Sequence, residues 1–290
     1  MPVQHEEFLT SGPSVPAIFG VARSTTATGY EVTIDIGGMP IRVGTASRPF
    51  RRMLEERYAG FVNRSCPEPL FELEVDLVPP GRVAGGGDVR VRQESGRWSI
   101  ERGDFRAEWE PALRRGWVRQ SPNPHSIDST LRIVHTLLLA LEGGFLVHAA
   151  SAVRDGRAVL FVGPSGAGKT TIARLAPENV TLLTDEISYV RLAKEYRAFG
   201  TPFTGELGRP GANSSAPIEA LYVLEKDRGN RLEPMRVADG VRALLANILF
   251  FAQDPDLVTR VFQSACEFVA RVPVYRLGFV PDATVWELIR

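Results

Sequence analysis

One segment of the chain has residue types and spacing that predict a definite chemistry. Residues 163–171 are Gly-Pro-Ser-Gly-Ala-Gly-Lys-Thr-Thr, which satisfies the pattern G-x-x-x-x-G-K-[ST] at each position. Glycines let such a backbone turn its amides toward phosphate oxygens, the lysine neutralises the terminal phosphates, and the threonine hydroxyl is a ligand for Mg²⁺. The sequence therefore predicts a site for ATP and Mg²⁺. Its residues are Gly163, Ser165, Gly166, Ala167, Gly168, Lys169, Thr170 and Thr171.

Two adjacent acids follow the next apolar run. Residues 180–183 are Val-Thr-Leu-Leu, and Thr184, Asp185 and Glu186 come directly after them. Many Asp-Glu pairs are simply solvated turns, but an acid that ends a strand beside the glycine-rich segment can reach a metal bound there. We expect Thr170, Asp185 and Glu186 to bind Mg²⁺, since oxygen atoms are the ligands that this ion prefers.

Two other side chains are candidates with weaker signals. His148 lies in the apolar run Leu-Val-His-Ala-Ala, where a histidine is more often a core residue. Arg209 lies in the Gly- and Pro-rich stretch 201–211, and long stretches of this kind are usually functional or disordered. An arginine there would either stabilise charge on a transferred phosphoryl group or be simply solvated. The remaining histidines, His5, His125 and His135, carry no functional signal.

The periodicity around these residues indicates the elements that position them. Residues 145–153, 158–162 and 180–183 are expected to form strands, and residues 169–175 a helix that ends before Pro177. Upstream, a helix with Leu131, Val134, Leu138 and Leu141 on one face is expected to start at Asp128 or Ser129 and to end at Gly143. Helices are also expected at 241–251, 257–270 and 284–290, and strands at 218–224 and 274–277. Strands alternating with helices favour an α/β core.

The first half of the chain has a different pattern. Short runs with alternating apolar residues, such as 30–36 and 71–77, are separated by turn signals and predict an antiparallel sheet. The sequence Ser-Pro-Asn-Pro at 121–124 indicates a boundary. We therefore predict an N-terminal, mostly β domain over residues 1–122 and a nucleotide-binding domain over residues 123–290.

Composition narrows the range of partners. The 290 residues contain 34 Lys plus Arg and 34 Asp plus Glu, so no overall positive field favours nucleic acid or anionic lipid. The most apolar stretch, residues 131–150, is interrupted by Glu142, Gly143 and Gly144 and does not predict a membrane span. The first seven residues lack a basic start followed by an apolar run, so we expect a cytoplasmic protein.

The order of these features resembles that in the kinase domain of HPr kinase/phosphorylase. His148, then the segment 163–170 with Ser165, then Asp185 and Glu186 follow the family order of histidine, G-x-S-G-x-G-K-[ST] loop and acidic pair. The resemblance covers residues 145–290. It implies an α/β P-loop kinase domain of the HPr kinase and phosphoenolpyruvate carboxykinase type, here preceded by the smaller, mostly antiparallel β domain.

The resemblance also implies roles. Asp185 would accept the proton of an acceptor serine hydroxyl near the metal, Glu186 would assist Mg²⁺ binding with Thr170, and His148 would orient or polarise Asp185. The family commonly has two aspartates where this chain has Asp185 and Glu186, and residues 200–211 replace its Arg- and Gly-rich segment. A peptide or small protein, as in peptide-modification pathways, is therefore favoured over HPr as acceptor. Full-length relatives form oligomers, which allows a homo-oligomer here.

Three functions agree with these residues. The favoured one is a kinase that transfers the γ-phosphoryl group of ATP to a serine-type hydroxyl of a peptide or small protein. The second is a kinase acting on a small molecule such as free serine. The third is a nucleotide-gated regulatory or assembly protein without phosphotransfer, in which residues 200–211 would be a switch segment.

Overall fold

The computed structural model of the protein describes residues 29–66, 68–79 and 89–289. The first seven residues, from which a cytoplasmic location is predicted, lie outside this part. The described strands are β1 (Tyr30–Ile36), β2 (Met39–Thr45), β3 (Phe71–Leu77), β4 (Arg90–Glu94), β5 (Arg97–Arg102), β6 (Phe105–Glu110), β7 (Arg115–Gln120), β8 (Phe145–Arg154), β9 (Arg157–Val162), β10 (Thr181–Thr184), β11 (Ile187–Leu192), β12 (Tyr196–Phe199), β13 (Ser215–Lys226), β14 (Arg231–Pro234), β15 (Ile248–Leu249) and β16 (Val274–Phe279). The α-helices are α1 (Arg48–Arg57), α2 (Pro124–Leu141), α3 (Lys169–Arg174), α4 (Val237–Leu245) and α5 (Pro255–Arg271).

The first half forms a seven-stranded sheet in the order β1-β2-β3-β7-β6-β5-β4. The pairs β1–β2, β4–β5, β5–β6 and β6–β7 are antiparallel, as expected. Strand β3, however, is parallel to both β2 and β7, so the sheet is mixed. A parallel pair needs a crossover rather than a hairpin, and the crossover runs through α1 between β2 and β3 and through β4, β5 and β6 between β3 and β7.

Helix α2 begins earlier than the sequence predicted. Its N-cap is Asn123, whose side-chain oxygen accepts hydrogen bonds from the amides of His125 (2.9 Å) and Ser126 (3.0 Å). Asp128, an expected cap, lies inside the helix and is buried. The predicted end is confirmed, since Gly143 follows the helix with a φ of 73°.

The second half is built on a nine-stranded sheet. Strands β8, β11, β12, β13 and β9 pair in that order, and β9 pairs again with β8, which closes a ring. Only the pairs β9–β13 and β13–β16 are parallel among the described strands of this sheet. With α3, α4 and α5 packed around it, the architecture is mixed α/β. Two helices differ from the predictions. The helix expected at 241–251 ends at Leu245 and is followed by β15, and the one expected at 284–290 is a short 3₁₀ helix at Ala283–Glu287.

The apolar core crosses the predicted domain boundary. One buried cluster joins the first sheet to α2 and also contains Ile187, Tyr189 and Phe203 of the second half. The division at residue 122 stays a prediction, but the two halves share a core. None of the helices in the described residues has both the length and the apolar character needed to cross a membrane.

Candidate functional site

Strand β8 lies between the two parts of the candidate site. It pairs on one side with β9, with Ala149 opposite Val162, and β9 leads directly into the glycine-rich segment. On the other side it pairs with β11, with His148 opposite Ile187, the first residue after the acidic pair. The backbone amide of His148 is fixed by the carbonyl of Asn247 at 2.8 Å. This pairing brings His148, the glycine-rich segment and the acidic pair together.

The segment 163–168, which we call the first loop, connects β9 to α3. Gly168 immediately precedes the helix with a φ of 108°, and a Cβ atom there would lie 2.6 Å from Cζ of Phe279. Glycine is therefore required by both backbone conformation and packing. In the part of the chain that is described, the amides of Ser165, Gly166 and Gly168 donate to no protein acceptor. A cluster of unpaired backbone donors of this kind fits an anion.

Lys169 is the first residue of α3 and is only 7% exposed. Its ammonium group donates to the carbonyl of Gly163 at 2.8 Å and to that of Pro164 at 3.3 Å. Burial lowers the pKa of Lys169, and the carboxylates of Glu186 and Glu206 partly offset this effect. The lysine is thus held over the first loop, where a phosphate would replace the two carbonyls as its partner.

The acidic pair lies at the end of β10. The hydroxyl of Thr184 accepts hydrogen bonds from the amides of Glu186 (3.1 Å) and Ile187 (3.2 Å), which turns the chain tightly from β10 into β11. Asp185 is 4% exposed. Its two carboxylate oxygens accept hydrogen bonds from the amides of Gly205 (3.0 Å) and Leu207 (2.9 Å).

These amides belong to residues 200–214, which we call the second loop. It is tied to β10 along its length: the amides of Thr201 and Ala212 donate to the carbonyls of Leu183 (3.2 Å) and Leu182 (3.0 Å). Its backbone passes so close to the acids that a Cβ atom on Gly205 would lie 2.7 Å from Oδ2 of Asp185 and 2.8 Å from Oε2 of Glu186. The second loop therefore holds the carboxylate of Asp185 in one place.

His148 contacts Glu186 rather than Asp185. Nε2 of His148 lies 3.9 Å from Oε2 of Glu186, and the two side chains are 38% and 36% exposed. Burial lowers the pKa of His148 and the charge of Lys169 lowers it further, while Glu186 acts in the opposite direction. The implied pairing of His148 with Asp185 is thus not what the geometry shows, because the carboxylate of Asp185 already faces the second loop.

The other predicted site residues lie around this centre. Thr170 and Thr171 follow Lys169 in α3 and are half-buried. Arg209 lines an open cavity of 540 Å³ with Arg174 and Leu207. No hydrogen bond or ion pair within the described ranges joins Arg209 to the acids or to Lys169, so its role in phosphoryl transfer stays a prediction.

The donor set fits ATP with Mg²⁺. Free amides and Lys169 suit phosphates, and the hydroxyl of Thr170 with the carboxylates of Asp185 and Glu186 suits a hard cation. Across residues 29–66, 68–79 and 89–289 no group of three or more His, Cys, Asp or Glu side chains is arranged to hold a metal. A cation at this site would therefore take further oxygen ligands from phosphates and water, as Mg²⁺ usually does.

Sequence reasoning missed four residues that contribute to the site. The amides of Gly205 and Leu207 leave no trace in a residue pattern, although both lie in the Gly- and Pro-rich stretch singled out from the sequence. Glu206 acts on the pKa of Lys169 from the same stretch. The fourth is Arg132 in helix α2, which the helical pattern gave no reason to select. The charge of Glu186 acts to raise the pKa of Arg132.

Comparisons with known proteins identify a family and a solved structure to which the chain is similar. A family model described as SynChlorMet cassette protein ScmC matches residues 124–290, more than half of the chain. Among solved structures, the Hpr(Ser) kinase/phosphatase from Coxiella burnetii is similar at 14% sequence identity and a TM-score of 0.24, over 41% of this chain and 87% of that chain. No curated protein matches the chain in sequence.

Proposed function

The chain belongs to the SynChlorMet cassette protein ScmC family, and we propose that it is an ATP-dependent kinase. It would transfer the γ-phosphoryl group to a serine-type hydroxyl of a peptide or small protein. The family description names no activity, so the proposal is supported by the chain's own site and by the order of motifs in its sequence.

One observation carries the proposal. The unpaired amides of the first loop and the ammonium group of Lys169 lie on one side of β8, and the buried Asp185 with Glu186 lies on the other. The first set suits the phosphates of a nucleotide, and the second suits a metal and a hydroxyl. Phosphoryl transfer needs these two sets next to each other, because it depends on positioning and charge stabilisation.

Each residue would then have a definite task. Mg²⁺, held by Thr170 and the acidic pair, would supply positive charge that neutralises the phosphates. Lys169 and the first-loop amides would bind the phosphate oxygens. The acceptor oxygen would form a bond to the γ-phosphorus while the bond from that phosphorus to the β–γ bridging oxygen breaks and ADP leaves. Asp185, fixed by the second loop, would take the hydroxyl proton.

A second function is favoured by the same fixed carboxylate. Both oxygens of Asp185 are occupied by amides of the second loop, so a metal or hydroxyl has to share them. A nucleotide that changes this contact would move the second loop, which is what a nucleotide-gated regulatory or assembly protein requires. Such a protein would bind ATP without transferring its phosphoryl group.

Labelled ATP separates these functions. The protein is incubated with Mg²⁺ and ATP labelled at the γ-phosphate, in parallel with a desalted lysate of its host, with HPr and with free serine. Lys169→Ala is the control. Label on a protein or peptide only with the wild type supports the proposal, and label on free serine alone would mean a small-molecule kinase. Nucleotide binding without label on any acceptor would contradict the kinase and favour the regulator.

A further inference from the structure

Arg132 is a cation without a hydrogen-bond or ion-pair partner among the described residues. It lies in α2, and its guanidinium stacks on the ring of Phe203 at 4.7 Å. Its Nε atom is buried and has no hydrogen-bond partner in the part of the chain that the structure describes. Among the described residues no carboxylate lies within ion-pair distance of this side chain.

The acid closest in sequence on the same helix is already occupied. Asp128, one turn before Arg132, accepts hydrogen bonds from both Arg57 and Tyr58. Burial lowers the pKa of Arg132, while the charges of Asp128 and Glu186 act to raise it. An arginine stays charged in proteins, and a partly buried charge without a partner is costly. An unpaired guanidinium at this position can bind an anionic ligand.

The position of Arg132 shows where that ligand would lie. Phe203, on which it stacks, is two residues before Gly205, whose amide holds Asp185. Glu186 acts electrostatically on both Arg132 and Lys169. Lys169 is bound to the first loop, where the phosphates would lie, whereas Arg132 of α2 contacts Phe203 of the second loop. Arg132 therefore lies against the loop that holds Asp185 and not at the first loop, which makes the acceptor rather than the nucleotide its candidate ligand.

We propose that Arg132 binds a carboxylate on the acceptor, so that the protein selects hydroxyls flanked by acidic residues in a peptide. The planar guanidinium offers two parallel donors to a carboxylate, and its stack on Phe203 fixes the direction of that fork. This inference rests on the proposed function for the identity of the reacting group. Binding of the acidic flank can nevertheless be measured without any transfer.

The test uses a library of peptides with a fixed serine and degenerate residues on both sides. The library is passed over immobilised full-length protein with ATP analogue and Mg²⁺, and the retained peptides are sequenced. The wild type should enrich Asp and Glu beside the serine. Arg132→Gln should lose this enrichment and weaken binding of a selected acidic peptide about 10-fold or more, as expected for a lost charge-assisted pair. Arg132→Lys keeps the positive charge but lacks the two parallel donors. Its enrichment of acidic peptides and its affinity for the selected peptide should lie between those of the wild type and Arg132→Gln.

Controls make each outcome decisive. Arg260→Gln, at an exposed position of α5, should behave as the wild type. Equal retention of acidic and neutral peptides by the wild type, or loss of ATP binding in Arg132→Gln in place of loss of peptide selection, would overturn the inference. If either Arg132 variant unfolds, the other still reports the selection. Absence of label transfer to the selected peptides would contradict the kinase, but not the binding of the acidic flank.

Discussion

The two loops of the candidate site use their backbone amides in opposite ways. In the first loop the amide of Ala167 donates to the carbonyl of Pro164 at 3.1 Å, and the amides of Ser165, Gly166 and Gly168 find no acceptor in the described protein. In the second loop the amides of Gly205 and Leu207 hold Asp185, and those of Thr201 and Ala212 hold β10. The donors of the first loop remain available to a ligand, whereas those of the second loop fix the carboxylate of Asp185, the candidate general base.

The comparison shows how a site of this type divides its tasks. Unpaired donors are costly unless solvent or a ligand satisfies them, so the first loop lies open and is specified by glycines. A buried carboxylate needs hydrogen-bond partners, so the second loop is packed closely against Asp185. Binding and positioning therefore depend on different parts of the chain, and mutations should separate them.

The largest effect is expected from the carboxylate that the second loop holds. Asp185→Asn should reduce phosphoryl transfer on the order of 100-fold to 10,000-fold, the range for loss of a general base. Nucleotide binding should change little, because the first loop is untouched. Label transfer and nucleotide affinity, measured on the same preparation, check this. Near-normal transfer by Asp185→Asn would rule out Asp185 as the base.

A matched variant separates the effect of the Asp185 charge from the effect of order in the second loop. Thr201→Val removes the hydrogen bond from Oγ1 of Thr201 to the carbonyl of Ile187, at 2.8 Å, without altering Asp185. It should leave transfer largely intact. If it is as damaging as Asp185→Asn, the ordering of the second loop rather than the carboxylate limits the reaction.

The next effect belongs to the first loop. Lys169→Ala removes the buried ammonium and should weaken ATP binding on the order of 100-fold, since a charge-assisted hydrogen bond to phosphate is lost. Titration with a fluorescent nucleotide measures this. Lys194→Ala, at an exposed position between β11 and β12, is the control and should bind as the wild type. Equal affinity in Lys169→Ala would mean that the phosphates do not bind at the first loop.

The comparison also shows what the sequence could predict. The first loop is a continuous motif. Residues 163–171 therefore predict the strand before it, the start of the helix after it and the residues that bind the ligand. Asp185 and Glu186 follow from their place after an apolar run. The hydrogen bonds that hold Asp185 cannot be predicted from the sequence, because their donors are backbone amides, which almost every residue type has. The pairing of His148 with Glu186 depends on the register of β8 with β11, and β11 was not predicted at all.

A smaller effect is expected from the glycine that touches both acids. Gly205→Ala places a Cβ atom 2.7–2.8 Å from the two carboxylates, which must then shift. We expect transfer to fall about 10-fold, in line with the cost of a small overpacking change, while nucleotide binding is retained. Gly229→Ala, where a Cβ atom meets nothing within 4 Å, is the matched control. If Gly205→Ala transfers as well as Gly229→Ala, the close approach of the second loop has no role in transfer.

The smallest expected effect tests whether the first loop and the acidic pair are coupled electrostatically through His148. The charge of Lys169 lowers the pKa of His148, and Glu186 acts to raise it. Lys169→Ala should therefore raise the pKa of His148 and leave it protonated to a higher pH than in the wild type. The imidazole titration followed by NMR measures the midpoint, with the signal assigned by its loss in His148→Gln. His135 does not interfere, because burial lowers its pKa to about 3. The control Lys194→Ala should leave the midpoint unchanged. If the midpoint is also unchanged in Lys169→Ala, the first loop and the acidic pair are electrostatically independent.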